Sequence, residues 1–352
     1  MSNLDSKSVR AIDRSGMIDR VLATPEYLRG AWKAASRVPL EIETARLQQI
    51  VHAGMGGSAI AGDVVRCLTY GRLPVPLSVC RTYRLPNLFS DRSLLLACSY
   101  SGNTEETLSA FHEARQAGAR IIAITSGGRL QELAHQFRLP LFTLPGGFPP
   151  RSALAFLTAP LLAVLSACGW LPEADSAVAE AAGLLDKLKT EYSPEAADER
   201  NPAKSLANRL HGKIPVTYAS QDNFEGVACR WKGQFCENSE VLAFWNTFPE
   251  LNHNEIVGWG LRPELDRRFQ TIFLRDRDDH ERVQRRMDIT RRIIEKSSNE
   301  VIEVWSQGES RLARLFSTIF LGDMASVYLA VLNGVDPTPV HSIDFLKDSL
   351  SK

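Results

Sequence analysis

Apolar and polar positions along residues 49–144 follow two alternating patterns, one typical of strands and the other of helices. Short, almost entirely apolar runs predict strands at 49–53, 77–80, 94–98, 121–125 and 139–144. Segments with apolar residues every three or four positions predict helices at 105–117 and 130–137. Strands that are apolar on both faces, separated by helices, predict a parallel sheet covered on both sides.

A second alternating series follows a polar, helix-rich stretch. It predicts strands at 215–219, 241–244, 271–274 and 301–304, and helices at 281–296 and 310–332. The two series have similar lengths, which predicts two sheet domains. The predicted boundaries are an N-terminal helical extension at 1–40, a first domain at 41–172, a linker at 173–205, a second domain at 206–335 and a C-terminal helix at 336–352.

The amino-acid composition bears on whether the protein binds nucleic acid, metal ions or membranes. The 352 residues include 41 Lys and Arg against 41 Asp and Glu, so nothing indicates a nucleic-acid or anionic membrane surface. The six cysteines lack metal-ligand spacing. The apolar stretch 153–171 contains Pro160 and predicts a buried helix rather than a membrane span. The polar first sixteen residues lack an apolar signal core, which favours the cytoplasm.

Residues 99–104, here called the hydroxyl turn, follow an apolar strand and precede a predicted helix. Ser99, Ser101 and Thr104 offer hydroxyl groups, and the start of the helix offers free N–H groups at its positive end. This arrangement predicts a phosphate site. The turn contains no Lys or Arg, so it would bind the phosphate group of a ligand without activating that group for transfer. The alternative is an ordinary helix start with Ser/Thr capping.

Residues 54–59, here called the glycine turn, also follow a strand. The pattern G-x-G-x-x-A is a variant of the dinucleotide-binding fingerprint, which expects an acidic residue about twenty positions later. Val79, Cys80 and Arg81 supply none. We therefore expect the two turns to converge on one phosphorylated ligand, with Ser58 adding a hydroxyl and Gly56 and Gly57 allowing close backbone approach.

Six short motifs, in order, resemble the bifunctional phosphoglucose/phosphomannose isomerases of the sugar isomerase domain superfamily. The resemblance extends from about residue 45 to residue 350. The motifs are GMGGSA at 54–59, SYSGNT at 99–104, GGFPPR at 146–151, EN at 237–238, NHNE at 252–255 and IDFLK at 343–347.

This resemblance implies an α/β fold of two flavodoxin-like α/β/α sandwich domains with parallel sheets, assembled as a homodimer. It implies interconversion of glucose 6-phosphate with fructose 6-phosphate through an enediolate, without metal or other cofactor. Activity on mannose 6-phosphate is also expected. Thr338–Val340 matches the Thr-Pro-Val stretch of the family, but His341 and Ser342 stand where a charged residue is expected, so the position that accepts mannose 6-phosphate is not assigned.

The resemblance also assigns four catalytic residues. Glu237 matches the general base, which must be held against the substrate to take a carbon-bound proton. Arg151 is a permanent cation that can stabilise the enediolate. His253 and Lys347 match the groups that open the sugar ring, and His253 is expected to enter the site from the other subunit. Ile343 and Leu346 share a helix face with which the terminal helix could dock.

Two other functions stay open on the sequence alone. A phosphosugar sensor would keep the two turns without catalysis, and Glu237 and His253 distinguish it from an isomerase. A nucleotide-dependent oxidoreductase would use the glycine turn to bind NAD or NADP.

Overall fold

The computed structural model describes residues 4–86, 88–296 and 300–350. The described chain opens with three helices that pack into the main hydrophobic core through Leu4, Val9, Met17 and Leu28. The carboxylate of Asp13 accepts hydrogen bonds from two N–H groups at the start of the second of these helices. The helices are α1 (Ser6–Ile12), α2 (Met17–Leu22) and α3 (Thr24–Ala35).

The first sheet has strand order β2-β1-β3-β4-β5, and every neighbouring pair is parallel. Ala53 pairs with Ala97, so β1 and β3 end at the same edge of the sheet. The strands are β1 (Gln49–Ala53), β2 (Leu77–Cys80), β3 (Ser93–Cys98), β4 (Arg120–Thr125) and β5 (Leu141–Thr143). The helices that connect them are α4 (Gly56–Thr69), α5 (Glu105–Gln116) and α6 (Gly128–Gln136).

Two helices, α7 (Leu154–Ala167) and α8 (Ala174–Tyr192), lead to the second sheet, which has the order β7-β6-β8-β9 and is also parallel. Its strands are β6 (Ile214–Ser220), β7 (Phe244–Phe248), β8 (Phe269–Arg275) and β9 (Ile302–Trp305). The remaining helices are α9 (Pro202–Leu210), α10 (Glu225–Ser239), α11 (Pro263–Asp266), α12 (Glu281–Glu295), α13 (Arg311–Asn333) and α14 (His341–Leu350).

The two halves share one hydrophobic core, in which α10 packs against α4 and α13 packs against α8, α9 and α10. Two glycines set the distance between these helices. A Cβ at Gly226 would lie 2.9 Å from the Asp63 Cβ, and a Cβ at Gly322 would lie 2.2 Å from the Trp231 indole nitrogen. Close packing of α10 on both sides brings its carboxyl end toward the first sheet.

The predicted α/β fold with two parallel sheets is confirmed. One predicted strand, at 241–244, is wrong, because the strand is Phe244–Phe248. The preceding residues complete the end of α10, where Glu240 has φ +52° and the Val241 N–H donates to the Phe235 oxygen. Of these apolar residues, Ala243 is buried in the core at the end of α10, whereas Leu242 is 72% exposed. The proposed domain boundaries, including the linker that contains α8, stay predictions.

The predicted buried helix within 153–171 corresponds to α7, whose residues Leu154–Leu165 are all buried. Helix α13 is the one described helix that is long and apolar enough to cross a membrane, and 94% of its most apolar window is buried inside the protein. Its apolar character matches its position in the shared core.

Candidate active site

The hydroxyl turn and the glycine turn lie side by side at one edge of the first sheet. They follow β3 and β1, neighbouring strands from which the chain continues in opposite directions across the sheet. Open parallel sheets bind ligands at this point. Helices α4 and α5 both begin here, and neither start has a side-chain cap, so their first N–H groups remain for a ligand.

Ser99 organises the hydroxyl turn from within. It is fully buried, and its Oγ accepts hydrogen bonds from the N–H groups of Gly102 at 3.0 Å and Thr104 at 3.3 Å. Its own hydrogen is then left for Thr104 Oγ1, 2.8 Å away. That pairing leaves the Thr104 hydroxyl hydrogen to donate outward, and Ser101 is exposed beside it. Ser101 and Thr104 thus line the surface of the turn, whereas Ser99 shapes it.

Gly102 is required for the same turn. Its φ of +74° favours glycine, and a Cβ there would lie 1.8 Å from the Gly127 backbone oxygen. Ser58 links the two turns, because its Oγ accepts from the Tyr100 N–H at 3.2 Å while its backbone oxygen accepts from His52 Nε2 at 2.7 Å. The predicted convergence of the two turns therefore has a direct structural basis.

A third segment joins this edge of the sheet through Gly57. A Cβ at Gly57 would lie 2.6 Å from the Pro150 backbone oxygen, so only a glycine allows α4 to begin directly against the helical turn Pro150–Ser152. That turn carries Arg151. The close approach puts the Arg151 backbone beside the start of α4, because the same Cβ would lie 3.2 Å from the Arg151 backbone nitrogen.

Arg151 is buried, and most of its guanidinium is already bonded. Nε donates to Asn238 Oδ1 at 2.6 Å, and Nη2 donates to the backbone oxygens of Pro337 and Thr338 at 2.6 and 2.8 Å. Burial lowers the pKa of Arg151, and the nearby Glu237 carboxylate opposes that shift. The remaining nitrogen, Nη1, lies 3.6 Å from Glu237 Oε2.

Glu237 lies in the last turn of α10, and its side chain is 32% exposed. Its carboxylate therefore faces both the Arg151 guanidinium and the open side of the protein. This is the one pair among the four predicted catalytic residues that the described chain brings into contact. Proton transfer at a carbon next to a carbonyl requires at least a base to take the proton and a hydrogen-bond donor to stabilise the charge on the oxygen. Glu237 and Arg151 supply these two groups around one open position.

A buried polar network fixes this pair, and sequence analysis missed most of it. Arg230 donates to both carboxylate oxygens of Asp323, at 2.9 and 2.7 Å, and to the backbone oxygen of Arg151 at 2.8 Å. Asn238 donates to Ser326 Oγ at 2.9 Å. One signal was available, because Asp323 is the one carboxylate in the largely apolar helix α13 and a buried carboxylate requires a partner.

His253 and Lys347 lie elsewhere on the single chain. His253 is an exposed residue at the end of the helical turn Glu250–His253, and Lys347 lies on α14, which has no buried residue. Within 4–86, 88–296 and 300–350, no hydrogen bond or ion pair joins either residue to Arg151 or Glu237. Ile343 and Leu346 are 39% and 57% exposed, so α14 is not docked on its own chain as its pattern allowed.

Glu255 does not orient His253. Its carboxylate accepts hydrogen bonds from the Tyr218 hydroxyl and the Asn246 side chain. Burial raises the pKa of Tyr218, and the charge of Glu255 adds to the shift, so the Tyr218 hydroxyl stays protonated and donates. The NHNE motif is thus tied to β6 and β7 through Glu255, and the His253 side chain stays exposed.

The chain was compared with known proteins. The model of the bacterial phospho-glucose isomerase C-terminal SIS domain matches residues 199–350. A bifunctional phosphoglucose/phosphomannose isomerase from Caldicellulosiruptor bescii is 41% identical over 96% of this chain and 99% of its own length. Another, from Aquifex aeolicus, is 39% identical over 86% of this chain and 90% of its own length. Among solved structures, a glucose-6-phosphate isomerase like protein from Thermus thermophilus superposes with a TM-score of 0.65 at 20% identity, covering 96% of this chain and 98% of that one.

The structural likeness supports the fold, and the near-complete coverage at about 40% identity decides the family. By this evidence the chain belongs to the bifunctional phosphoglucose/phosphomannose isomerase family.

Proposed function

We propose that this protein interconverts glucose 6-phosphate and mannose 6-phosphate with fructose 6-phosphate by moving a proton between C1 and C2. The observation that carries the proposal is the Glu237–Arg151 pair, 3.6 Å apart, beside the glycine turn. The names of the relatives support the same reaction. Ser58, Ser101, Thr104 and the first N–H groups of α4 and α5 would hold the phosphate, with Ser99 supporting the hydroxyl turn.

In the proposed step, Glu237 takes the proton from C2 of the open-chain aldose. The electron pair of the broken C–H bond forms the C1–C2 double bond, and negative charge collects on O1 near Arg151 Nη1. The O2 proton passes to O1, and Glu237 returns its proton to C1, so that O2 becomes the ketone oxygen. Because C2 is planar in the enediolate, the C2 epimers glucose 6-phosphate and mannose 6-phosphate give the same intermediate.

Arg151 suits this role because its other contacts hold it in place. Nε and Nη2 are bonded to Asn238 and to the segment Pro337–Thr338, so the guanidinium needs no reorganisation when charge develops on O1. Thr338 Oγ1 is also buried there without a partner among the described residues.

Ring opening would need a second copy of the chain. Exposed apolar residues lie in the segments before and after His253: Leu242, Phe244, Val257 and Leu261, the last two about 80% exposed. Phe244 begins β7, which is an edge strand, and an exposed apolar edge is a common oligomer interface. We propose that a homodimer covers these residues, that His253 enters the partner's site, and that Lys347 reaches a site when α14 docks in the dimer.

The proposed function is tested by incubating the purified protein with fructose 6-phosphate in the presence of EDTA and identifying the products. Glucose 6-phosphate and mannose 6-phosphate are both expected. Glu237→Gln should lower kcat by about 10²–10⁴-fold while fructose 6-phosphate still binds. Glu240→Gln, an exposed change one turn further along, is the matched control. An unchanged rate in Glu237→Gln would remove it as the base.

The remaining alternatives predict other results. A sensor would bind fructose 6-phosphate in the wild-type protein without producing either aldose. An oxidoreductase would bind NAD or NADP, which a fluorescence titration detects.

A further inference from the structure

Arg20 lies next to the candidate active site, and one nitrogen of its guanidinium has no hydrogen-bond partner among the described residues. It lies on α2, whose residues Met17, Ile18 and Val21 are buried in the shared core. Helix α2 packs against the helical turn that carries Arg151. The Arg20 side chain is partly exposed, but its Nη1 is buried and has no hydrogen-bond partner among the described residues.

The surroundings of Arg20 connect it to both parts of the site. The Tyr27 ring packs on Phe148 and Phe156, with ring centroids 5.3 and 5.0 Å apart. Phe148 belongs to the loop before Arg151, and its N–H donates to the hydroxyl of Tyr100, a residue of the hydroxyl turn, at 3.0 Å. Burial raises the pKa of the Tyr27 and Tyr100 hydroxyls, and the charge of Arg20 opposes both shifts.

The cations of this region differ in their partners. Arg230 is neutralised by Asp323, and the Glu237 carboxylate lies 3.6 Å from Arg151. Arg20 Nη1, in contrast, has no hydrogen-bond partner among the described residues. A buried donor without a partner is costly, and such groups in native proteins usually await a ligand or an ion.

The phosphate site lacks a cation of its own. The hydroxyl turn contains no Lys or Arg, and the first turn of α5 carries Glu105 and Glu106, which oppose the approach of an anion. Neutral hydroxyl and N–H groups can orient a phosphate dianion, but its charge is matched better by a nearby guanidinium. Arg20 is a cation on the helix that packs against the turn carrying Arg151, and its Nη1 is unbonded among the described residues.

We propose that Arg20 pairs with the phosphate group of the bound sugar phosphate, so that the N-terminal helices form one wall of the active site. This inference rests on the proposed function for the identity of the ligand. Arg20 is thus a binding residue, and its removal should weaken phosphate recognition without slowing the chemical step.

The test compares Arg20→Gln and Arg20→Lys with the wild-type protein, and uses Arg14→Gln, an exposed arginine between α1 and α2, as the matched control. No ion pair joins Arg20 to another residue within 4–86, 88–296 and 300–350, so equal melting temperatures are expected. Arg20→Gln should raise both the KM for fructose 6-phosphate and the inhibition constant of inorganic phosphate about tenfold, with kcat little changed. Arg20→Lys should recover part of the loss.

Two results would overturn the proposal. A lower kcat in Arg20→Gln with unchanged KM and phosphate inhibition would place the charge at the reacting carbons. Unchanged kinetics would show that Arg20 contacts no ligand.

Calorimetric titration with inorganic phosphate separates this proposal from the proposed function, because binding requires no turnover. If the wild-type protein does not isomerise fructose 6-phosphate but Arg20→Gln still binds phosphate more weakly than the wild type, only the proposed isomerase activity is rejected. If the wild-type protein is active and Arg20→Gln binds phosphate equally well, only the proposed role of Arg20 is rejected.

Discussion

The Arg230 guanidinium fixes the backbone of Arg151, because its Nη2 donates to the Arg151 backbone oxygen at 2.8 Å. The same guanidinium binds both carboxylate oxygens of Asp323. All three residues are buried. Helix α13, from the centre of the shared core, thus positions the cation of the candidate active site through two successive contacts.

Removal of Asp323 should therefore lower the stability of the protein. Asp323→Ala leaves the Arg230 charge buried without a partner, which we expect to lower the free energy of unfolding by about 3–5 kcal/mol. Urea denaturation followed by circular dichroism measures the change. Asp19→Ala is the matched control, because Asp19 pairs with Arg10 on the surface and its loss should cost less than about 1 kcal/mol. Equal effects of the two substitutions would refute the structural role of the Arg230–Asp323 pair.

Gly57→Ala should force apart the start of α4 and the turn that carries Arg151. The new Cβ would lie 2.6 Å from the Pro150 oxygen, so either α4 or the turn Pro150–Ser152 must shift. We expect a loss of about 1–3 kcal/mol in stability and a larger relative loss in kcat. Gly183→Ala, in α8 with open space around its Cβ position, should instead leave activity unchanged and raise stability slightly. Wild-type kcat in Gly57→Ala would mean that this close contact does not position the catalytic cation.

The two turns were predictable because each is local: a few Gly, Ser and Thr residues directly after an apolar strand. The relation of Glu237 to Arg151 is not local, because it depends on how closely α10 packs against α4 and α13. Only the resemblance to a family pointed to that pair. Arg20 was missed since nothing in its sequence surroundings marks it, and its unpaired nitrogen is visible only after α2 is placed beside Arg151.

His52 should make stability depend on pH. It is fully buried, its Nε2 donates to the Ser58 oxygen, and its Nδ1 has no partner among the described residues. Burial lowers the pKa of His52 to about 4, from an ordinary value of about 6.5. Between these values the unfolded chain binds a proton that the folded protein does not. Stability should therefore fall by up to about 3 kcal/mol as pH decreases from 6.5 to 4.

Denaturation midpoints measured across this pH range test the role of His52. His52→Gln should reduce the dependence on pH, even if it lowers stability at neutral pH. His211→Gln changes an exposed histidine and should leave the dependence as in the wild type. A His52→Gln profile parallel to that of the wild type would assign the effect to other groups.

Truncation after Ser342 should separate folding from catalysis. No residue of α14 is buried in the single chain, so its removal should leave the melting temperature of the remaining protein almost unchanged. We nevertheless expect turnover of fructose 6-phosphate to be lost, because Lys347 is removed. Lys347→Gln in the full chain tests the side chain alone, and Lys33→Gln, on α3, is the control. An active truncated protein would exclude Lys347 from the mechanism.

Hybrid dimers test whether His253 acts in the partner's site. Glu237→Gln and His253→Gln should each be inactive alone, but a mixed dimer would contain one site with an intact Glu237 from one chain and an intact His253 from the other. Random exchange of subunits should then restore about a quarter of the wild-type activity, since half of the dimers are mixed and half of their sites are complete. Mixing Glu237→Gln with Arg151→Lys is the control, because these residues lie on the same chain 3.6 Å apart. Their hybrids leave one defect in every site and should stay inactive. No recovery in the first mixture would place His253 in the site of its own chain. Recovery in the control would show that mixing restores activity by a route other than exchange of His253.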